Sequence, residues 1–163
     1  ITNDTITVIG LDAGEYTIVV INNESSICHK SNDTKTFTVN KQATSITGAD
    51  VSTTYNINKD LVITLKDANG NPLTGVKVTV DLNDAKTYTT DKNGQVKVST
   101  KGIAPKAYTA KVTFNGDTNY DKSTKDIKVT VKKATPKLTA KKKTFKAKTK
   151  TKKYTVTLKT DKT

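Results

Sequence analysis

Cys28 and His29 stand side by side, and they are the only cysteine and the only histidine in the 163 residues. A thiol next to an imidazole suggests either a metal ligand pair or a nucleophile with its base. A metal site needs further ligands from elsewhere in the chain. A hydrolase triad needs a nucleophile, a base and an orienting acid, and no second His or neighbouring nucleophile pair supports one. Cys28 therefore reads as a packing position, since a free Cys commonly behaves as a small buried hydrophobe. A lone Cys also excludes an internal disulfide framework. No catalytic residue and no cofactor is expected, and the chain is not expected to be an enzyme.

Oxygen ligands offer a second chemistry. Asp117, Asn119 and Asp121 form a D-x-N-x-D spacing, and Asp67, Asn69 and Asn71 form a related one. Alternate oxygens can wrap Ca²⁺, but the EF-hand loop also requires a central Gly and a terminal Glu, and no Glu follows Glu24. Asp and Asn are equally at home in turns, where their side chains accept backbone N–H groups, so turn chemistry is the expected role and no metal is predicted. A Lys–Asn isopeptide crosslink would need a buried Lys beside an acid. Every candidate Lys in residues 43–133 alternates with apolar residues and should face water.

Three N-x-S/T acceptor sequons occur, at Asn3, Asn23 and Asn32, all in the first quarter of the chain. Charge is uneven. Residues 1–42 carry three Lys and five acids, residues 43–133 fourteen and nine, and residues 134–163 eleven and one. Such an end attracts polyanions without specificity, acidic surface polymers or host glycans among them. Specific nucleic-acid binding is not expected, because the chain has no Arg and the tail offers only Phe145 and Tyr154 for stacking. Lys on a strand face also discourages edge-to-edge aggregation, the plainer account of this run. No stretch of eighteen apolar residues exists, so no membrane insertion is expected. No leader pattern is seen within the segment.

The elements that must position these groups follow from an internal repeat. Residues 11–39 align without a gap on residues 103–131, so that Tyr16 falls on Tyr108, Lys30 on Lys122, Ser31 on Ser123 and Val39 on Val131. An Ala-Thr pair follows each copy, at 43–44 and 134–135, and YTVTLKTD at 154–161 resembles LVITLKDA at 61–68. The period is about 91 residues, the size of a β-sandwich unit rather than a helical repeat. Three segments are predicted: 1–42 as the rear half of one unit, 43–133 as a complete unit, and 134–163 as the front of a third.

Within the complete unit, apolar residues recur at every second position. Leu61, Ile63 and Leu65 share one face, as do Val76, Val78, Val80 and Leu82. Val96 and Val98 form a third set, Tyr108, Ala110, Val112 and Phe114 a fourth, and Ile127, Val129 and Val131 a fifth. One dry and one wet face per strand predicts antiparallel sheets packed as an immunoglobulin-like sandwich of about seven strands, with almost no helix. Asn-Gly at 69–70, 93–94 and 115–116 predicts tight hairpins with positive φ. Tyr16 and Tyr108 each precede an alternating run, the position of a tyrosine corner whose hydroxyl bonds back to upstream backbone.

The segments ATSI, LKDANGNPLTGVKVTV, TTDKNGQVKVST and YTAKVTFNGDTNYDKS resemble the bacterial immunoglobulin-like (Big) domains of intimin- and invasin-type adhesins. The closing KTFKAKTKTKKYTVTLK, after ATPKL, is most similar to adhesin-like surface proteins of methanogenic archaea. The resemblance implies an extracellular, cell-surface spacer or stalk module whose partners are neighbouring repeats. It transfers no catalytic residue. Two alternatives accompany it: a ligand-binding adhesin module, using the Lys-rich end or the loops near Asn69 and Asn93 on acidic glycans, and a filament subunit assembled head to tail by strand complementation between chains.

Overall fold

The computed structural model of the protein describes residues 5–148 and 150–160, and every element among them is a strand. Twelve strands follow in order: β1 Gly14–Asn22, β2 Ser31–Val39, β3 Thr44–Gly48, β4 Val51–Thr54, β5 Asp60–Asp67, β6 Lys77–Asp81, β7 Ala85–Thr89, β8 Gln95–Ser99, β9 Ala107–Phe114, β10 Ser123–Lys132, β11 Pro136–Ala140 and β12 Val156–Thr160.

Eight of these, β3 to β10, build a body of two sheets around one core. One sheet has the order β3-β5-β8 and the other β4-β10-β9-β6-β7. The alternating sets meet between the sheets as expected. Leu61, Ile63 and Leu65 from β5 face Val78 and Val80 from β6, Ala110 and Val112 from β9, and Ile127 and Val129 from β10 within one buried cluster. Removing each of the Val, Leu and Ile side chains from water contributes roughly 1.5–3 kcal/mol, which makes this layer the main source of cohesion. The intervening residues point to solvent, and every described Lys is exposed. A buried Lys for an isopeptide crosslink is therefore lacking among the described residues.

Two expectations need correction. The sheets are not wholly antiparallel, because β4 runs parallel to β10, with Val51 opposite Val129 and Thr54 opposite Lys132. The cause lies in the first strand of the body, which is split. β3 pairs antiparallel with β5 in the smaller sheet, the chain crosses at Ala49–Asp50, and β4 joins the larger sheet in the same direction as β10. Gly48 permits the crossing, since a Cβ there would lie 2.5 Å from the Ile127 Cδ1 and 3.1 Å from the Val62 carbonyl.

The Asn-Gly pairs also differ from expectation. Only the glycines are left-handed, with φ of 85° at Gly70, 68° at Gly94 and 78° at Gly116. Asp67 and Asp91 each open a turn closed by the glycine N–H three residues on, at 3.1 and 2.9 Å. This is a type I turn followed by a left-handed glycine. Both turns lie where the chain leaves one sheet for the other, after β5 and before β8, and the third Asn-Gly opens the long β9–β10 loop. The one short hairpin within a sheet is β6–β7, whose loop 82–84 has no glycine.

Two hairpins flank the body. β1 and β2 pair from Gly14↔Val39 to Asn22↔Ser31, and β11 and β12 pair from Pro136↔Thr160 to Ala140↔Val156. Val19, Val20 and Ile21 on the first and Leu138, Val156 and Leu158 on the second are exposed, while Tyr16, Ile18, Phe37 and Val39 of the first are half-buried.

Candidate functional site

The loops of the body gather at its two ends. At the end where β3 begins, Thr44 is paired with Asp67 and its hydroxyl donates to the Asp121 carbonyl at 3.0 Å. Leu65 N–H donates to the Gly94 carbonyl at 2.9 Å. The turns 67–71 and 91–95 and the loop 115–122 therefore lie together. Gly70, Pro72, Asn93 and Gln95 share a shallow cleft there with Lys66, Thr47 and Thr64.

The carboxylates in these loops hold backbone. Asp67 Oδ1 accepts the N–H of Asn69 and of Asn71 at 2.9 and 2.8 Å, and its Oδ2 accepts the Asn71 amide at 3.0 Å. Burial disfavours its charged form, but the Asn71 side chain and the N–H groups of Asn71, Asn69 and Gly70 outweigh this and hold its carboxyl below the ordinary value. Asp91 accepts from Gln95 and Asn93 at 2.9 and 2.8 Å, and those bonds lower its pKa, helped by Lys97 and Lys92. Asp117 Oδ1 accepts from Asn119 and Tyr120, both at 2.9 Å. The alternate-oxygen spacings thus serve turns. Among the described residues no three His, Cys, Asp or Glu side chains gather as a metal site would require.

Loop 115–122 also grips the segment that precedes the body. Gln42 N–H donates to the Asn119 carbonyl at 2.8 Å, and Asp121 N–H donates to the Gln42 carbonyl at 2.9 Å. Lys41 Nζ donates to the Asp117 carbonyl at 2.6 Å. The Asn119 side chain reaches the turn before β1. Its Oδ1 accepts the Ala13 N–H at 2.8 Å, and its Nδ2 donates to Asp12 Oδ1 at 2.7 Å. This socket could not be read from spacing, because its partners lie more than a hundred residues from Asn119 in sequence. In the sequence Asn119 stands out only as the centre of the D-x-N-x-D spacing.

The two tyrosines take equivalent places. Tyr16 Oη donates to the Asp12 carbonyl at 2.8 Å, and Tyr108 Oη donates to the Ala104 carbonyl at 2.9 Å, each four residues upstream. Tyr108 is buried with Lys106 Nζ 4.6 Å from its ring centre, whereas Tyr16 stacks on Phe37 across the hairpin at 5.6 Å.

Cys28 is exposed, contrary to the packing role expected of it. Its counterpart Tyr120 packs against the core of the body, whereas among the described residues no second sheet lies over the β1–β2 hairpin for Cys28 to enter. His29 is fully exposed, with Nδ1 3.6 Å from Glu24 Oε1. Of the sequons, Asn23 is exposed in the loop after β1 and Asn32 is exposed in β2 opposite Ile21. Asn3 lies outside the described residues.

Another cleft, of about 350 Å³, is lined by Lys141, Lys142, Lys143, Tyr154 and three threonines of the β11–β12 hairpin. Lys143 Nζ donates to the Lys153 carbonyl at 2.9 Å, and Tyr154 Oη to the Lys141 carbonyl at 2.8 Å. By the sequence alignment Tyr154 corresponds to Leu61, which is wholly buried in the body. Of the other residues in its wall, Thr155 and Thr157 align with Val62, which is exposed, and Thr64, which is half-buried.

No protein-family model matches this chain, and no curated protein is similar to it.

Proposed function

We propose that the chain is a stretch of a tandem array of immunoglobulin-like sandwiches, working as a spacer or stalk at a cell surface. Its task is mechanical: to set reach and to present loops, with no residue acting on a substrate. The observation that carries this reading is a matched register. Hairpin β1–β2 pairs residues whose numbers sum to 53, and β9–β10 pairs residues that sum to 237, a difference of twice 92. Tyr16 thus sits opposite Phe37 as Tyr108 sits opposite Val129. The connecting loops agree in detail. Ser25 N–H donates to the Cys28 carbonyl, and Ser25 Oγ accepts from Ile27 and Cys28. Asp117 makes the same three bonds with Tyr120 and Asn119. Sequence drift has replaced the side chain and kept the turn.

The immunoglobulin-like assignment is supported by a first strand shared between three- and five-stranded sheets, and by tyrosines bonded to backbone at the entry of the penultimate strand. The proposed units are 1–42, 43–133 and 134–163, in keeping with that spacing, and the resemblance to Big-type and archaeal adhesin-like repeats supports a location outside the cell.

A chimera tests the repeat directly. Residues 43–102 joined to residues 11–42 replace β9 and β10 by their proposed equivalents. The expected product unfolds cooperatively with the near-ultraviolet signature of packed tyrosines, while residues 43–102 alone do not. A chimera that stays unfolded overturns the repeat. Surface labelling of intact source cells with an antibody against residues 43–133 tests the location, and labelling only after lysis overturns it.

A second reading, attachment to acidic polymers, is favoured by the eleven Lys against one acid in residues 134–163 and by Lys66 in the cleft between the Asn69 and Asn93 turns. Retention on polyglutamate or hyaluronate that persists in physiological salt supports it. Retention lost near 0.15 M ionic strength, where the Debye length is about 8 Å, leaves only diffuse attraction.

A further inference from the structure

We infer that loop 115–122 is a selective socket for the tail end of a preceding unit, and that it accepts only a turn with Asp followed by a residue other than Pro. This rests on the tandem reading above and adds a rule for which joints of the array are locked.

The socket is braced by bonds of its own. Asp117 fixes the backbone of Asn119 and Tyr120. Gly116 has a φ of 78°, and a Cβ on it would lie 2.7 Å from the Tyr120 carbonyl and 2.9 Å from Lys122 N. Asn119 therefore presents its amide from a fixed frame. The amide has one acceptor and one donor edge, and the turn supplies the matching pair, the Ala13 N–H and the Asp12 carboxylate. The turn is held from its other side by Tyr16 on the Asp12 carbonyl. A charged acceptor strengthens the amide bond, and the two-point geometry fixes direction.

The same turn occurs again 92 residues later, and there both contacts are deleted. Ala104 stands in the place of Asp12 and has no carboxylate; Pro105 stands in the place of Ala13 and has no N–H. A following unit could not seize that turn with an Asn119-like amide. In the preceding hairpin, Ile27 stands where Asn119 does, exposed and without a polar group to offer. The chain thus holds one locked joint, and neither the loop at 23–30 nor the turn at 104–105 carries its half of such a lock. Joined units move relative to one another by default unless an interface restrains them. Bending of the array would concentrate at the unlocked joints.

The test uses the whole 163-residue chain with Cys28→Ser and spin labels at Thr36→Cys and Lys97→Cys, one on the hairpin and one on the body. Pulsed dipolar spectroscopy should give a narrow distance distribution. Asn119→Ala should at least double its width, and Asp12→Ala with Ala13→Pro, which copies the turn at 104–105, should do so equally. Combining all three should add nothing further, because both sides of one contact have been removed. The melting of the body should stay unchanged, which separates loss of the lock from unfolding. A broad distribution in the parent chain, an unchanged width in Asn119→Ala, or additive broadening overturns the proposal. These distances do not depend on whether the chimera folds, so the lock and the repeat can fail separately.

Discussion

At matched positions the body and its flanking hairpins differ in burial far more than in sequence. Leu65 in β5 is fully buried opposite Ile46, which is 8% exposed, while Leu158 in β12 sits opposite Leu138 with the two 64% and 68% exposed. Val112 in β9 is buried, and its counterpart Val20 in β1 is 52% exposed. The pairing is the same in kind, and among the described residues no second sheet covers either hairpin. Local sequence can thus specify a hairpin and its register, whereas stability comes from the opposing layer. A two-stranded hairpin alone is marginal in water.

The largest expected effect tests that contrast. Leu65→Ala should destabilise the body by about 2–5 kcal/mol, the cost of a large-to-small change in a packed core. Leu158→Ala should change the main unfolding transition by less than about 0.5 kcal/mol, as exposed substitutions do. Urea midpoints at constant m measure both. Comparable losses for the two would mean that the β11–β12 hairpin is covered in solution, the outcome that head-to-tail strand complementation between chains requires.

The two sheet-crossing turns offer a second contrast. Gly94 and Gly70 are both left-handed, but a Cβ on Gly94 would stand 2.6 Å from the Leu65 carbonyl and 2.9 Å from Pro72 Cβ, whereas Gly70 opens on space. Gly70→Ala carries only the left-handed strain, about 1–2 kcal/mol. Gly94→Ala adds the displacement of packed backbone and should cost about 2–4 kcal/mol in the same urea titration. Equal losses would show that the Gly94 turn relaxes freely and does not brace β5 against β8.

Five strands of the body were legible because their inward residues are Val, Ile, Leu, Tyr or Phe at every second position. The missing ones hide for a physical reason. β3 buries only Ile46, β4 buries Val51 and Thr53, and β7 half-buries only Tyr88, so none of the three presents an apolar alternation. The parallel pairing of β4 with β10 joins residues nearly eighty apart, which no local pattern encodes. The tyrosine positions were visible because Tyr16 and Tyr108 each head an alternating run, and each bonds back to the carbonyl four residues upstream. The exposure of Cys28 and the grip of Asn119 on Asp12 were not, since both depend on what lies across an interface between segments distant in sequence.

The tyrosines carry the comparison to a smaller scale. Tyr108→Phe removes the bond to the Ala104 carbonyl in a buried setting and should cost about 0.5–1.5 kcal/mol. Tyr16→Phe removes the same bond where water can replace it, and should leave the main transition within about 0.5 kcal/mol. Thermal melts at one scan rate suffice. A larger loss for Tyr16 would place the β1–β2 hairpin inside the cooperative unit.

The smallest effect is the pH response of the two turns. Asp67 and Asp91 both have folded pKa values below the ordinary 3.8. A depressed carboxylate binds its proton more weakly in the folded chain, so it contributes stability that is complete above the unfolded pKa. That contribution is lost as pH falls through the folded value. Stability should therefore be level from neutrality to about pH 5 on account of these groups and decline below it, in the acid range where an unfolded Asp protonates. Asp91→Asn keeps an oxygen to accept from Asn93 and Gln95 and removes the titration, so its urea midpoint should fall less steeply with acid than that of the parent. Asp67→Asn also sets an amide nitrogen near that of Asn71, and should lower the midpoint at neutral pH as well. If the Asp91→Asn midpoint tracks the parent's down to about pH 2, the acid sensitivity resides in other carboxylates. The turn before β8 would then be held by its backbone bonds and Gly94, with the carboxylate charge contributing nothing.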